Sequence, residues 1–150
     1  MDLPQDIQTA KARLTAGGYT LVLCRGTAID ESHERGVRPL LARLEKPGAF
    51  AGFSAADRVV GRAAAFLYAA LGVTAVYAGV ISRPAIDTLR QYGITPFWDQ
   101  AVGSIRNREQ TGPCPMEAAV AAADSPQQAI AAIRAKAAEL AATRASARQS

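Results

Sequence analysis

The sequence predicts an α/β fold in which a mixed sheet of about four strands lies between layers of helices. Residues 75–82 are nearly continuous in apolar side chains, which is typical of an inner strand with both faces covered. From residue 54 onward, helix-like and strand-like patterns alternate with short links, and this order predicts parallel strands joined by right-handed crossovers. A hairpin nearer the N-terminus makes the predicted sheet mixed.

The first predicted element is a helix over residues 4–16, with a proline in its first turn and a glycine pair after its end. Residues 19–24 are rich in strand formers, and Gly26 offers a turn back into a second strand at 28–30. Cys24 lies in the first strand of this hairpin, where a free cysteine is usually a small buried hydrophobic residue.

A short amphipathic helix is predicted over residues 37–45, and a longer central helix follows it. Ser54 is a good N-cap for the central helix, because its hydroxyl can accept a hydrogen bond from the backbone N–H of Asp57. Beyond Arg62 this helix is apolar all round, which predicts that it is covered on every side. Gly72 stands where the helix would end.

The second half of the chain continues the alternation. We expect a buried strand at 75–82, a helix at 84–92 and a further strand at 94–100. Two Ala-rich helices follow a polar loop, and the second covers residues 125–150 with Ser125 as its cap.

Length and composition limit the classes of protein that fit. With 150 residues, the chain has the length of one ordinary domain, so we expect a single domain over 1–150. The formal net charge is +4, but no aromatic residues are interleaved with the basic ones of the C-terminal helix, so nucleic-acid binding is not expected. Residues 63–81 carry no charge, yet they change from helix-like to strand-like composition, which argues against a membrane span. Two separated cysteines and the absence of a leader pattern predict a cytoplasmic protein with reduced thiols.

The start of the predicted central helix is the first candidate site. Asp57 is followed by Arg58 and, one helical turn later, by Arg62, so two guanidinium groups can point the same way. This pattern predicts an anion-binding site, whereas the structural alternative is that these charges pair with each other or with surface carboxylates. Gly61 favours a functional role, because a glycine within a helix costs about 1 kcal/mol relative to alanine and a ligand or neighbouring backbone is therefore expected against it.

The segment SHERG, residues 32–36, is the second candidate site. His33 is the single histidine of the chain, and a lone histidine in a polar loop is most often solvated. Arg35 stands beside a glycine that allows close backbone approach, so its side chain is expected to reach inward and bind a ligand.

The segment TGPCPMEAAV is the third candidate site. A cysteine at a helix N-terminus can have its pKa lowered by the helix dipole, so Cys114 could act as a nucleophile. The structural alternative is that Cys114 is simply the N-cap, with Pro115 at the first helical position and Glu117 reaching back as the partner of a capping box.

Three polar residues just upstream extend this third site. Arg106, Asn107 and Arg108 supply two positive charges and an amide. Together with Arg58 and Arg62 they would form a phosphate or carboxylate pocket. No cofactor is expected at any of the three sites.

Five segments of the chain, in this order, carry a resemblance to a known family: GYTLVL, ERGVRPLL, GFSAADRVVGRAAAFLY, GVTAVYAGVIS and CPMEAAV. They are similar to the small bacterial and archaeal proteins classed as the domain of unknown function DUF1893, and the similarity extends over about residues 10–134. The resemblance implies a fold like that of the cytidine deaminases, a layered α/β/α arrangement consistent with the order of elements above. The biochemical role of the family is not established.

The motif that zinc deaminases require is incomplete in this chain. Such enzymes need a His or Cys followed two residues later by Glu, and a Pro-Cys-x-x-Cys segment at the start of another helix. His33 is followed directly by Glu34, and Glu117 stands where the second cysteine would be. We therefore expect no catalytic zinc.

Three hypotheses for function remain open. The first and favoured one is a ligand-binding domain without zinc that holds a nucleotide or other small anion between Arg58, Arg62 and the helix start at Cys114. The second is an enzyme that uses Cys114 as nucleophile or sulfur carrier, with Glu117 or Asp57 as proton shuttle. The third is an interaction module whose Ala-rich C-terminal helix packs on a second subunit and forms a homo-oligomer.

Overall fold

The computed structural model describes residues 3–106, 112 and 114–149, with side chains as far as residue 147. In this part of the chain the elements follow the order α1 (Gln5–Gly17), β1 (Leu21–Arg25), β2 (Ala28–Ser32), α2 (Arg38–Arg43), β3 (Ser54–Val60), α3 (Arg62–Leu71), β4 (Ala75–Ser82), α4 (Arg83–Gln91), β5 (Thr95–Val102), α5 (Pro115–Ala119) and α6 (Pro126–Gln149).

In the described residues, five strands form one mixed sheet in the order β2-β1-β3-β4-β5. Strand β1 pairs antiparallel with β2 and with β3, whereas β3, β4 and β5 run parallel. The α/β class and the mixed sheet are therefore confirmed, and the predicted hairpin is the pair β1 and β2.

The additional strand is β3, which lies where the sequence predicted the first half of the central helix. The helix predicted from Ser54 is wrong, because Ser54, Ala55 and Ala56 are buried in a strand between β1 and β4. Helix α3 begins only after Gly61, whose backbone is extended with φ −100° and ψ −175°.

Helix α3 is buried on all sides from Ala63 to Tyr68, as its composition predicted, whereas Ala70 near its end is exposed. Its consecutive residues Phe66, Leu67 and Tyr68 are all buried, and Gly72 ends the helix with φ 79°, a left-handed conformation that favours glycine. The uncharged segment 63–81 is thus divided between α3 and β4. Among the described residues, no helix combines the length and the hydrophobicity that crossing a bilayer requires.

Both faces of the sheet are packed. On one face, α3 lies in a core with residues of α2, α4, α5 and α6, while α1 covers the other face. Cys24 belongs to the core beneath α1 and has no exposed surface, which confirms its prediction as a small buried residue.

The third candidate segment contains α5, and α6 follows it. Ser125 caps α6 as predicted, because its Oγ accepts a hydrogen bond from the backbone N–H of Gln128 at 3.2 Å. Ala129 and Ile133 of α6 are fully buried against the core. From residue 134 to 147, no described side chain of α6 is buried.

Candidate functional site

A cleft of about 650 Å³ lies where the segment after β2, the end of β3, the start of α3 and the start of α5 meet. It is lined by residues that the sequence placed at the three candidate sites, among them Arg35, Asp57, Arg58, Gly61, Arg106, Cys114 and Glu117. The fold therefore brings together residues from all three candidate segments.

Asp57 is placed at the cleft by β3 and is half-buried. Its Oδ2 accepts a hydrogen bond from the hydroxyl of Tyr68 at 2.6 Å, while Oδ1 is 3.4 Å from the backbone N of Val59. Burial raises the pKa of Asp57 to about 6, although the hydrogen bonds from Tyr68 and from backbone N–H groups act in the opposite direction. The carboxyl group can thus take or release a proton near neutral pH.

Tyr68 is a site residue that the sequence analysis missed. Its ring lies wholly inside the core on α3, and burial together with the neighbouring charge of Asp57 raises the pKa of its hydroxyl well above the usual value. One signal was present in the sequence, because a tyrosine within an otherwise apolar helix needs a partner for its hydroxyl when it is buried.

Glu117 binds the start of α3 rather than the start of its own helix. Its Oε1 accepts the backbone N–H of Arg62 at 2.6 Å and its Oε2 accepts that of Ala63 at 2.8 Å. The capping box predicted for α5 is therefore wrong: Cys114 is the N-cap with Pro115 at the first position, but Glu117 does not reach back to it. The backbone N–H of Cys114 donates instead to Ile105 O at 3.0 Å.

Gly61 is needed because of this carboxylate. A Cβ atom at residue 61 would lie 2.6 Å from the carboxyl carbon of Glu117, which is too close for two carbon atoms. The sequence analysis expected a ligand or a neighbouring backbone against Gly61, whereas the group found there is the side chain of Glu117. Gly61 also precedes α3 as its N-cap instead of lying within the helix.

Arg62 points away from the cleft. Its Nη1 donates to Val120 O at 2.7 Å and its Nη2 donates to Ala123 O at 2.8 Å, so the guanidinium group binds carbonyls at and beyond the end of α5. Its Cζ lies 4.8 Å from the centre of the Phe66 ring. Together with the Glu117 contact, these bonds fix α5 against the start of α3.

Arg58 and Arg62 do not share a helix face, so the predicted pairing of their guanidinium groups is wrong. Arg58 lies in a strand, where its side chain is turned toward α1, and its Nε donates to Tyr19 O at 2.6 Å. Its Nη2 also contacts Leu14 O at 3.5 Å. Arg58 is exposed and forms part of the cleft wall, whereas Arg62 does not line the cleft.

Arg35 is the second guanidinium group of the wall. Its side chain is exposed, and in the described part of the chain it forms no hydrogen bond or ion pair. His33, two residues before Arg35, is also exposed and stacks on Tyr19 with ring centres 4.4 Å apart. No described residue therefore competes with a ligand for the guanidinium group of Arg35.

Cys114 contributes a free, half-buried thiol to the same cleft. The other cysteine, Cys24, lies on the α1 face of the sheet and takes no part in the cleft. Asn107 and Arg108, which were predicted to extend the site, lie outside the described residues. Arg106, next to them, lines the cleft.

The side chains of the cleft do not fit a zinc site of the deaminase type. Such a site needs three closely placed His or Cys ligands. Among residues 3–106, 112 and 114–149, no three His, Cys, Asp or Glu side chains are grouped closely enough to hold a metal ion.

Comparison with known proteins identifies the family. Among curated proteins, none matches this sequence significantly. The crystal structure of a DUF1893 family protein from Thermotoga maritima has the same fold, with a TM-score of 0.81, 24% sequence identity, and coverage of 90% of this chain and 92% of that chain. The sequence profile of the domain of unknown function DUF1893 matches residues 9–137. The chain therefore belongs to the DUF1893 family.

Proposed function

We propose that the cleft binds a small anionic, nucleotide-like ligand without zinc. The observation that carries the proposal is that Arg35, which has no partner among the described residues, lies in the wall of a cleft large enough for such a ligand. A guanidinium group suits phosphate and carboxylate groups, because it can donate two parallel hydrogen bonds to them.

The remainder of the wall supports a ligand with an apolar ring as well as an anionic group. Leu21, Leu40 and Met116 line the cleft beside the charged residues. Small-molecule sites commonly combine such an apolar surface with a few polar groups that fix the orientation of the ligand. Arg62 is left out of the proposal, because its guanidinium group is bound to backbone carbonyls.

Arg35→Ala tests the proposal. The variant is expected to bind nucleoside monophosphates about tenfold to a hundredfold more weakly than the unchanged protein, since a hydrogen bond to a charged group contributes about 1.5–3 kcal/mol. Isothermal titration calorimetry measures the difference. Arg134→Ala is the matched control, because Arg134 is equally exposed but lies on α6 outside the cleft. Equal affinities of the two variants would contradict the proposal.

A second candidate function is favoured by one observation: the free thiol of Cys114 lines the same cleft as the half-buried carboxyl group of Asp57. In this candidate the Cys114 sulfur adds to a double-bonded carbon of the ligand, the π electrons of that bond move to the attached oxygen or nitrogen, and the thiol proton passes to Asp57. Glu117 is a poor proton shuttle, because both of its oxygens accept backbone N–H groups.

Denaturing mass spectrometry tests this second candidate. If Cys114 carries a covalent intermediate or sulfur atom, the purified protein has an added mass that maps to the peptide containing Cys114. Cys114→Ser should lose that mass, and Cys24→Ala, in which the buried cysteine is replaced, should retain it. An unmodified mass after incubation with the ligand found by calorimetry would count against thiol chemistry.

A further inference from the structure

The carboxylate of Asp57 can accept more hydrogen bonds than the protein supplies. Oδ2 is bound to the Tyr68 hydroxyl, Oδ1 meets the backbone N of Val59 at 3.4 Å, and the backbone N–H of Arg58 also acts on the carboxylate. A carboxylate has about four acceptor positions, so one is left over. The residue lines the cleft, so a ligand there is the natural source of a further donor.

Among the described residues, the negative charge of Asp57 has no counter-ion, because no Lys, Arg or His side chain there forms an ion pair with it. Arg58 follows it in sequence but lies on the opposite face of the strand, and Arg43 forms its ion pair with Asp30. A half-buried carboxylate without a cation is unfavourable for folding.

The bonds to Tyr68 and to the backbone involve both oxygens of Asp57, but each carboxylate oxygen can accept more than one hydrogen bond. A hydrogen bond to an ionised carboxylate is roughly twice as strong as one between neutral groups. A bound N–H group at this wall of the cleft would form such a charge-assisted hydrogen bond.

We propose that Asp57 binds an amino group on the ring of the ligand while Arg35 binds its anionic group, which makes the ligand a nucleotide with an exocyclic amino group. This inference rests on the proposed function of the cleft. Beyond the proposed function, the inference specifies the end of the ligand that faces β3. It assigns the recognition of that end to Asp57.

Two pairs of nucleotides test the inference at pH 8, where Asp57 is ionised. Adenosine 5′-monophosphate is compared with purine riboside 5′-monophosphate, and cytidine 5′-monophosphate with pyrimidin-2-one riboside 5′-monophosphate. The members of each pair differ only by the exocyclic amino group. In at least one pair, the amino compound is expected to bind about tenfold or more tightly, as measured by calorimetry.

Asp57→Asn should reduce that preference to less than about threefold, because the amide accepts only a neutral hydrogen bond. The matched control is Asp99→Asn. Asp99 also accepts a hydrogen bond from a tyrosine, Tyr77, but it lies outside the cleft, so this variant should keep the full preference.

The outcomes separate the two proposals. If the unchanged protein binds both members of each pair equally, the inference about Asp57 is overturned while anion binding by the cleft stands. If none of the four nucleotides binds, the proposed function fails and the inference fails with it. A preference that Asp57→Asn leaves intact would assign the selection to another residue.

Discussion

At the scale of single residues, the burial of Asp57 affects the stability of the folded protein as well as the proposed binding of a ligand. Burial raises the pKa of Asp57 from 3.8 to about 6, so the folded state holds this proton more tightly than the unfolded state does. The contribution of this proton to stability is fully present below about pH 4, and it is lost as the pH rises through about 6.

Asp57→Asn should therefore change the pH dependence of stability. Relative to the unchanged protein, the variant should gain free energy of unfolding between pH 4 and pH 8, by at most about 3 kcal/mol for a shift of about two pKa units. Urea denaturation at both pH values measures this. The difference between the free energies of unfolding of the two proteins cancels the contributions of the other titrating groups. If both free energies change with pH in parallel, Asp57 has its ordinary pKa in the folded protein.

The types of residue indicated which positions belong to the candidate site, although the helix assigned to some of those positions was wrong. Asp57, Gly61 and Cys114 were selected because a core does not require such residues at those positions, and all three line the cleft. Their mutual arrangement could not be predicted, because it depends on long-range contacts such as that of Glu117 with the start of α3. The partner of the Tyr68 hydroxyl could not be predicted, because Asp57 was assigned to the same helix as Tyr68 and not to a strand packed against it.

At the scale of elements, the contact between α5 and the start of α3 predicts a coupled effect of two substitutions. Glu117→Ala removes the partner of two backbone N–H groups and should cost about 1–2 kcal/mol of stability, as the loss of a helix cap does. Gly61→Ala should cost a similar amount, because its Cβ displaces the same carboxylate.

A double-mutant cycle checks this coupling. In the Glu117→Ala background, Gly61→Ala should cost clearly less than it does alone, with a coupling energy of about 1 kcal/mol. Gly103→Ala is the control, because a Cβ at residue 103 meets no atom within 4 Å. Additive costs from chemical denaturation would mean that the alanine at residue 61 does not act through Glu117.

The error at residues 54–60 shows why an element can be misread from sequence alone. The segment SAADRVV contains good helix formers and charged residues, so its local pattern is compatible with the first turns of a helix. Pairing with two neighbouring strands outweighs that local preference. The adjacent valines, followed by a glycine, were the signal for a strand that ends before a helix.

At the scale of the whole molecule, the apolar β4 made the layered architecture predictable, since a strand buried on both faces requires helices on both sides of the sheet. The number of strands was harder to predict, because it depends on how one short segment is read. The single domain over 1–150 and the cytidine deaminase-like fold stay predictions.

Truncations of α6 should separate the contribution of its buried residues to stability from any role of its exposed residues. A chain that ends at residue 140 keeps Ala129 and Ile133, so its stability should lie within about 0.5 kcal/mol of that of the full chain. A chain that ends at residue 124 loses both core residues and should not fold stably. Thermal denaturation followed by circular dichroism compares the three proteins.

The same truncation tests the predicted homo-oligomer. If α6 packs on a second subunit through its exposed end beyond residue 140, light scattering should show fewer subunits per particle for the chain that ends at residue 140. An unchanged number of subunits would leave the interaction module without support from this end of α6.

The carboxylate of Glu117 also limits where the proposed anionic ligand could bind. In parallel α/β proteins, the junction from a strand into the next helix is a common place for a phosphate, because free backbone N–H groups point outward there. Here the junction from β3 into α3 already contains a resident anion, supplied by the chain itself. An incoming phosphate meets an occupied position at that junction, so under the proposed function the recognition of an anionic ligand depends on the arginine side chains of the cleft.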